Sequence, residues 1–264
     1  MKTISSRQNA TVREFRDLAA HPDARGERLL LDGAHLVRAA QQAGAALEVV
    51  AVAASQLQCG SEEGVLARDL EARGAEVVLA DDAVFEALSP VRTPSGIVAI
   101  ARRAPVAPAD ICGAGGFILA AVDVQDPGNL GSLLRAAEAG GESGVLVCGA
   151  SANPFSWKAV RGSMGSVLRL PVAIGPPITA ALTSLQEFEL HTIAAAPRGG
   201  VAPDQATWTG NIGLLLGGEG PGLPASVIAA CDERVTIPMS APVESLNVAV
   251  AGALLVYAAR AQRL

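Results

Sequence analysis

The residues of this sequence whose types and spacing could do chemistry fall in three stretches. In the first, Leu214-Leu-Leu-Gly-Gly-Glu-Gly-Pro-Gly-Leu-Pro224, an apolar run feeds a glycine-rich loop, and glycines let backbone approach a ligand closely. The loop has neither the spacing of a dinucleotide fingerprint nor the Lys-Ser/Thr of a phosphate loop. Glu219 in its middle would repel phosphate, so the loop is read as the seat of a neutral or cationic ligand. The second stretch, Asp123-Val-Gln-Asp-Pro-Gly-Asn-Leu-Gly-Ser-Leu-Leu-Arg135, passes through a Pro-Gly turn into a helical pattern ended by Gly140 and Gly141. Asn129 or Ser132 is placed to cap that helix. Taken alone, the segment is a capped helix with Arg135 on its solvent face. In the third, Ile237-Pro-Met239 precedes Val243-Glu-Ser-Leu-Asn-Val-Ala-Val-Ala251. Ser245 is the expected cap of a final helix, and Asn247, past that cap, brings a donor and an acceptor to an otherwise apolar helix.

The elements that must position these stretches follow from periodicity. A continuous apolar run at 117–122 has the character of a strand buried on both faces. Further strands are expected at 144–148, 170–174, 192–196, 212–216 and 234–237, with helices at 132–139, 156–167, 179–188, 225–230 and 245–260. Such alternation predicts an α/β fold, a parallel sheet with helices on both faces, whose ligands bind beyond the carboxyl ends of the strands. The first hundred residues predict a smaller α/β unit, with helices at 7–19, 34–43, 62–73 and 83–88 and strands at 29–31, 47–53, 75–79 and 97–101. Between them the Pro- and Gly-rich composition of 104–116 predicts an exposed connector. The expected layout is therefore a domain at 1–103, a linker at 104–116 and a domain at 117–264.

The composition suits this picture. Half of the 264 residues are hydrophobic and 28 are glycine, enough for a sizeable core of small side chains. The longest apolar stretch, 246–259, is shorter than the roughly 20 residues of a membrane span, so a buried helix and no membrane role are expected. Residues 1–20 alternate charged and apolar side chains without the apolar core of a signal peptide, and a cytoplasmic location is expected. Cys59, Cys112, Cys148 and Cys231 form no CxxC pair, and His21, His35 and His191 are scattered, so no metal site is expected. The net charge of −6 opposes a nucleic-acid partner. Its distribution softens the objection, because Arg7, Arg13, Arg16, Arg25, Arg28 and Arg38 crowd the first segment and Lys158, Arg161 and Arg169 form a second cluster.

Together, Asn129-Leu-Gly-Ser-Leu-Leu-Arg135, Gly217-Gly-Glu-Gly-Pro-Gly-Leu223 and Ile237-Pro-Met239 followed by Ser245-Leu-Asn-Val-Ala-Val-Ala251 resemble the three motifs of the SpoU, or TrmH-like, branch of the SPOUT RNA methyltransferases. The segment 154–171, with Lys158-Ala-Val-Arg-Gly-Ser-Met-Gly-Ser166, is similar to the family too, so the resemblance runs from 117 onward. Ile4-Ser-Ser-Arg-Gln-Asn9, Leu31-Asp-Gly-Ala-His-Leu-Val37 and Thr93-Pro-Ser-Gly-Ile-Val-Ala99 resemble the L30e-like RNA-binding domain, with Asp32 and Ser95 where Glu and Gln are commoner.

The resemblance implies transfer of a methyl group from S-adenosylmethionine to a ribose 2′-hydroxyl of structured RNA, ribosomal RNA before transfer RNA. It implies a C-terminal trefoil knot whose loops hold the cofactor through Gly217, Gly218, Gly220, Ile237, Met239 and Leu246. It makes Arg135 the group that stabilises the forming alkoxide, with an RNA phosphate assisting as base, and makes Asn129, Glu219, Ser245 and Asn247 its orienting partners. Arg7, Arg13, Lys158 and Arg161 would contact RNA, and the protein would be a homodimer with its sites at the subunit interface. Two rival readings are a non-catalytic RNA-binding protein that keeps the fold and a nucleotide-dependent α/β enzyme using the loop at 217–222.

Overall fold

The computed structural model describes residues 1–220 and 222–263; Pro221 of the glycine loop and Leu264 lie outside the described residues. The chain forms two compact units, one of Met1–Pro105 with Phe155–Leu168 and one of Val106–Pro154 with Arg169–Leu264.

The first unit opens with β1 (Lys2–Ile4) and α1 (Ala10–Ala20), followed by β2 (Arg28–Asp32), α2 (Ala34–Gln42), β3 (Ala46–Ala53) and α3 (Ala54–Cys59). Then come α4 (Glu62–Ala72), β4 (Val77–Ala80), α5 (Asp82–Leu88) and β5 (Ile97–Arg102). The sheet order is β1-β4-β3-β5-β2. β1, β4 and β3 run parallel, while β5 runs antiparallel to both β3 and β2. The Asn9 side chain accepts from the Thr11 amide at 2.9 Å, which sets the start of α1. From there Val12 and Phe15, one turn apart, enter the core, leaving Arg13 and Arg16 exposed. Strand β1 escapes sequence reading because it is three residues long and buries only Ile4.

The second unit begins inside the expected linker. Pro108–Ala114 is a helix, α6, that sinks Ile111 and Cys112 into the core, so 104–116 is more than an exposed connector. Pro108 sits in its first turn, where the missing amide hydrogen costs nothing, and the Asp110 carboxylate accepts from the Ala107 amide at 3.4 Å. Its proline content disguised it as a linker. Next are β6 (Phe117–Val122), α7 (Pro127–Gly140), β7 (Gly144–Cys148) and α8 (Trp157–Gly162). The sequence reading makes 156–167 one helix of the second domain; instead α8 stops at Gly162, the chain turns at Met164 and Gly165 with φ of 51° and 87°, and a 3-10 turn follows at Ser166–Leu168. This segment packs with the first unit.

The remaining elements are β8 (Val172–Ile174), α9 (Ile178–Glu187), β9 (His191–Ala195), β10 (Ile212–Gly217), α10 (Ala225–Ala230), β11 (Glu233–Val235) and α11 (Val248–Arg263). Six parallel strands lie in the order β11-β9-β10-β6-β7-β8. Every residue of β6 is buried, as a central strand covered on both faces requires. From β6 the chain moves outward to β7 and β8, then crosses to the other side for β9 and β10. The crevice beyond the carboxyl ends of β6 and β10 is thus the switch point where such sheets bind ligands.

Candidate functional site

At that switch point the glycine loop is pinned against the end of β6. The Gly218 amide donates to the Val122 carbonyl at 2.6 Å, and a Cβ on Gly218 would run into the Asp123 carbonyl oxygen. At Gly220 the backbone has φ of 99°, a conformation that L side chains rarely adopt. Asp123 itself turns at φ of 56°, held there by its carboxylate, which accepts from the Ala150 amide at 2.6 Å.

Beside the loop opens a cavity of about 610 Å³. Gly217, Gly218, Gly220, Ile237, Met239 and Leu246, the six expected cofactor residues, all line it, and so do Glu219, Ser245 and Asn247. Sequence reasoning missed Ala195, Ala196 and Pro197 on the opposite wall. Their only signal was position at the carboxyl end of β9, which neighbours β10 only in the folded sheet. Among the described lining residues the one ionisable side chain is that of Glu219.

A polar network spans the mouth. Asn129 Nδ2 donates to Glu219 Oε1, and Asn247 Nδ2 donates to Asn129 Oδ1 at 3.0 Å. Three segments that are 90 and 118 residues apart thereby share one chain of hydrogen bonds. The helix caps differ from expectation. Asp126, not Asn129 or Ser132, caps α7, its carboxylate accepting from the Asn129 amide at 2.7 Å; Asp before Pro-Gly is the sequence signal. Asn247, not Ser245, caps α11, with Oδ1 accepting from the Ala249 and Val250 amides at 2.9 and 3.3 Å. Asn247 therefore both starts the final helix and fixes Asn129.

Arg135 stands outside this network. It is exposed on α7 and, among the described residues, makes no hydrogen bond or ion pair. Helices α7 and α11 also enclose a shallow groove of about 530 Å³, bounded by Ser132 and Ala136 on one helix and Val250, Leu254 and Tyr257 on the other. These three apolar side chains are 50, 49 and 52 % exposed. The helices meet closely because Gly252 packs against Leu133 and Gly140 against Val256, and Arg260 donates to the Gly140 carbonyl at 3.1 Å.

The expected RNA-contacting residues lie in the first unit. Arg7 and Arg13 border a cleft of about 810 Å³, and Lys158 Nζ lies 5.6 Å from the centroid of the Trp157 ring, which lines the same cleft. Arg161 is exposed and acts instead on Asp32, opposing the upward shift that burial imposes on that carboxyl.

Comparison with known proteins agrees with this architecture. The chain is 28% identical over 258 residues, 97% of its length and 98% of the relative's, to the 23S rRNA (guanosine(2553)-2′-O)-methyltransferase RlmP of Bacillus subtilis. It is 31% identical to an uncharacterized tRNA/rRNA methyltransferase of Synechocystis, covering 99% of this chain and 94% of that one. An AdoMet-bound rRNA methyltransferase from Sinorhizobium meliloti superposes with a TM-score of 0.85 at 27% identity, covering 100% of this chain and 98% of the other. The model of the SpoU rRNA Methylase family matches residues 116–257, more than half of the chain and every described residue that lines the cavity beside the glycine loop, and the chain belongs to that family.

Proposed function

We propose that this protein methylates a ribose 2′-hydroxyl of ribosomal RNA, using S-adenosylmethionine. The observation that carries the reading is the joining of all three motifs through Asn129, Glu219 and Asn247 at a cavity lined mostly by apolar side chains and glycine backbone, whose one described ionisable side chain is a carboxylate. That lining suits the cofactor: apolar walls for an adenosine, glycine backbone for close approach, and an acid in place of the lysines or arginines that a phosphate would demand. The volume falls within the roughly 300–1,000 Å³ common to small-molecule sites. Gly217, Gly218 and Gly220 would hold the cofactor through backbone, and Ile237, Met239 and Leu246 through apolar contact. When bound, S-adenosylmethionine supplies an electrophilic methyl carbon on a sulfonium.

The chain's own part is to prepare the nucleophile. A ribose hydroxyl attacks poorly until its proton leaves or the growing charge on its oxygen is stabilised. A guanidinium offers donors and no acceptor, so the role of Arg135 is electrostatic stabilisation of the alkoxide, and an RNA phosphate accepts the hydroxyl proton. Asn129, with Glu219 and Asn247 behind it, positions the ribose side of the site, and Ser245 offers a further hydroxyl at the mouth.

We infer further that the protein works as a homodimer. Arg135 lies outside the cavity lining, on the helix α7 that forms one wall of the groove bordered by the exposed Val250, Leu254 and Tyr257; a second copy covering that groove would bring the arginine into a closed site. The trefoil knot and the L30e-like character of residues 1–103 belong to the same reading; they are supported by the family membership and by the full-length match to an rRNA methyltransferase structure. A cytoplasmic location accompanies a ribosomal substrate. No helix among the described residues is long and apolar enough to cross a membrane.

Incubation with isotopically labelled S-adenosylmethionine and total RNA, then mass spectrometry of the labelled nucleotide, tests the proposal. Label on a 2′-O-methylated nucleotide of ribosomal RNA is the expected result. Label confined to transfer RNA would reassign the substrate. RNA binding without cofactor binding or label would leave a non-catalytic RNA-binding protein.

A further inference from the structure

Resting on the reading of RNA as substrate, we infer that the cleft of the first unit is a subsite for one unpaired nucleotide, with phosphate held by Arg7, Arg13 and Arg16 and the base stacked on Trp157. The cleft, about 810 Å³, lies between α1, α5 and the start of α8. Helical spacing sets its charge. With Val12 and Phe15 committed to the core, Arg13 and Arg16, one turn apart, share the exposed face of α1 that borders the cleft. Arg7 is pre-positioned, donating to the Ala83 carbonyl at 2.8 Å and pairing with Glu86 at 3.4 Å. Arg13 and Arg16 have no ion-pair partner among the described residues, so their charge is available to a ligand. Two acids also border the cleft: Glu86, already paired with Arg7, and Asp17. The balance of three guanidiniums against two carboxylates is positive in a chain whose net charge is −6.

The aromatic completes the chemistry. Trp157 packs partly against the core of the first unit while lining the cleft, and its indole N–H donates to no acceptor among the described residues. The chain's other tryptophan, Trp208, is fully buried and donates to the Pro203 carbonyl at 2.7 Å, which is how an indole settles when its role is structural. A half-buried indole with Lys158 Nζ 5.6 Å from its ring centroid, beside the unpaired guanidiniums of Arg13 and Arg16, matches what single-stranded RNA offers, a π-face and a phosphate on one nucleotide. A-form duplex hides its base faces in the stack and would present the phosphates alone.

The test uses the full chain and its own fluorescence. Binding of an adenosine oligonucleotide about ten nucleotides long should quench tryptophan emission, and Trp157→Phe, which preserves an aromatic side chain for packing, should remove the quench because Trp208 is sealed in the core. Arg13→Ala and Arg16→Ala should each weaken oligonucleotide binding and make log affinity fall less steeply with log salt, by at most about 0.7, the share of the one phosphate they hold together. A perfectly paired RNA duplex of the same length should leave the emission unchanged. Unaltered emission with the oligonucleotide, an equal quench by the duplex, or unchanged salt slopes in both arginine variants would each overturn the assignment. Cofactor affinity, read by calorimetry, verifies that each variant is folded. Wild-type protein that methylates ribosomal RNA without the quench refutes the cleft alone, whereas quench without methylation supports the cleft and refutes the enzyme.

Discussion

Two of the concave surfaces among the described residues, the cavity of the second unit and the cleft of the first, are built for opposite charge by different means. The cavity of the second unit is made from strand ends and a glycine loop, with a carboxylate as its one described ionisable side chain. The cleft of the first unit is made from helix side chains, with arginines predominating over acids. A net charge of −6 describes neither; the partner of each surface is decided by the few charges within a Debye length of it, roughly 8–10 Å in ordinary salt. The contrast also predicts how each will fail. Backbone-built sites respond sharply to small insertions of volume, and side-chain-built sites lose affinity in salt-dependent steps.

The largest effect tests the catalytic half of that contrast. Arg135→Ala should lower kcat by about 10²–10³-fold with cofactor affinity unchanged, the usual loss when one donor to a developing oxyanion is removed. Single-turnover methylation and calorimetry separate the two quantities; wild-type turnover in the variant would remove Arg135 from the mechanism.

The next effect concerns a charge that the second unit hides. Glu142, in the loop after α7, is 6 % exposed, and neither carboxyl oxygen has a hydrogen-bond partner among the described residues. Burial raises its pKa to about 9, with Arg263 pulling the other way. Because the folded value exceeds the unfolded one, the folded chain keeps a proton that the unfolded chain releases. The stability this confers is complete below about pH 4.5 and is lost as pH climbs toward 9. Glu142→Gln should therefore be increasingly more stable than wild type across that window, by on the order of 1 kcal/mol per pH unit. Urea melts at about pH 5 and about pH 8 would show parallel curves for both proteins if the buried carboxyl were ionised throughout.

Smaller losses probe the cavity wall. Gly218→Ala places a methyl against the Asp123 carbonyl oxygen, and overpacking of this kind should weaken cofactor binding by about ten- to a hundredfold. The same substitution at Gly210, where an added Cβ meets nothing within 4 Å but φ is 79°, should leave cofactor affinity unchanged. Asn129→Ala, the mildest, breaks the bridge between Glu219 and Asn247 and should lower kcat/KM about fivefold, the worth of one net hydrogen bond. Steady-state kinetics on an RNA fragment would detect it.

Much of this architecture is legible in the chain. The alternation of apolar runs with amphipathic segments predicts the parallel sheet, and the helix at 225–230 falls on the residues that Ala225–Ala230 occupy. The six cofactor residues expected from the motifs line one cavity. The failures have local causes. Helix α6 hid because Pro108 reads as a breaker in sequence but is harmless in a first turn. The caps of α7 and α11 were misplaced because several capping residues crowd each helix start, and only backbone geometry selects among them.

The sequence by itself determined most of the elements, the carboxyl-end location of the glycine loop and the family, because hydrophobic period and motif spacing are properties of neighbours along the chain. Only the tertiary structure decided that Asn129, Glu219 and Asn247 share one hydrogen-bonded network, that Ala195, Ala196 and Pro197 close the cavity, and that Phe155–Leu168 joins the first unit to put Trp157 in its arginine cleft. Those facts depend on which strands neighbour one another and which surfaces bury each other. Such choices are made by the packing energy of the whole chain, which no local pattern records.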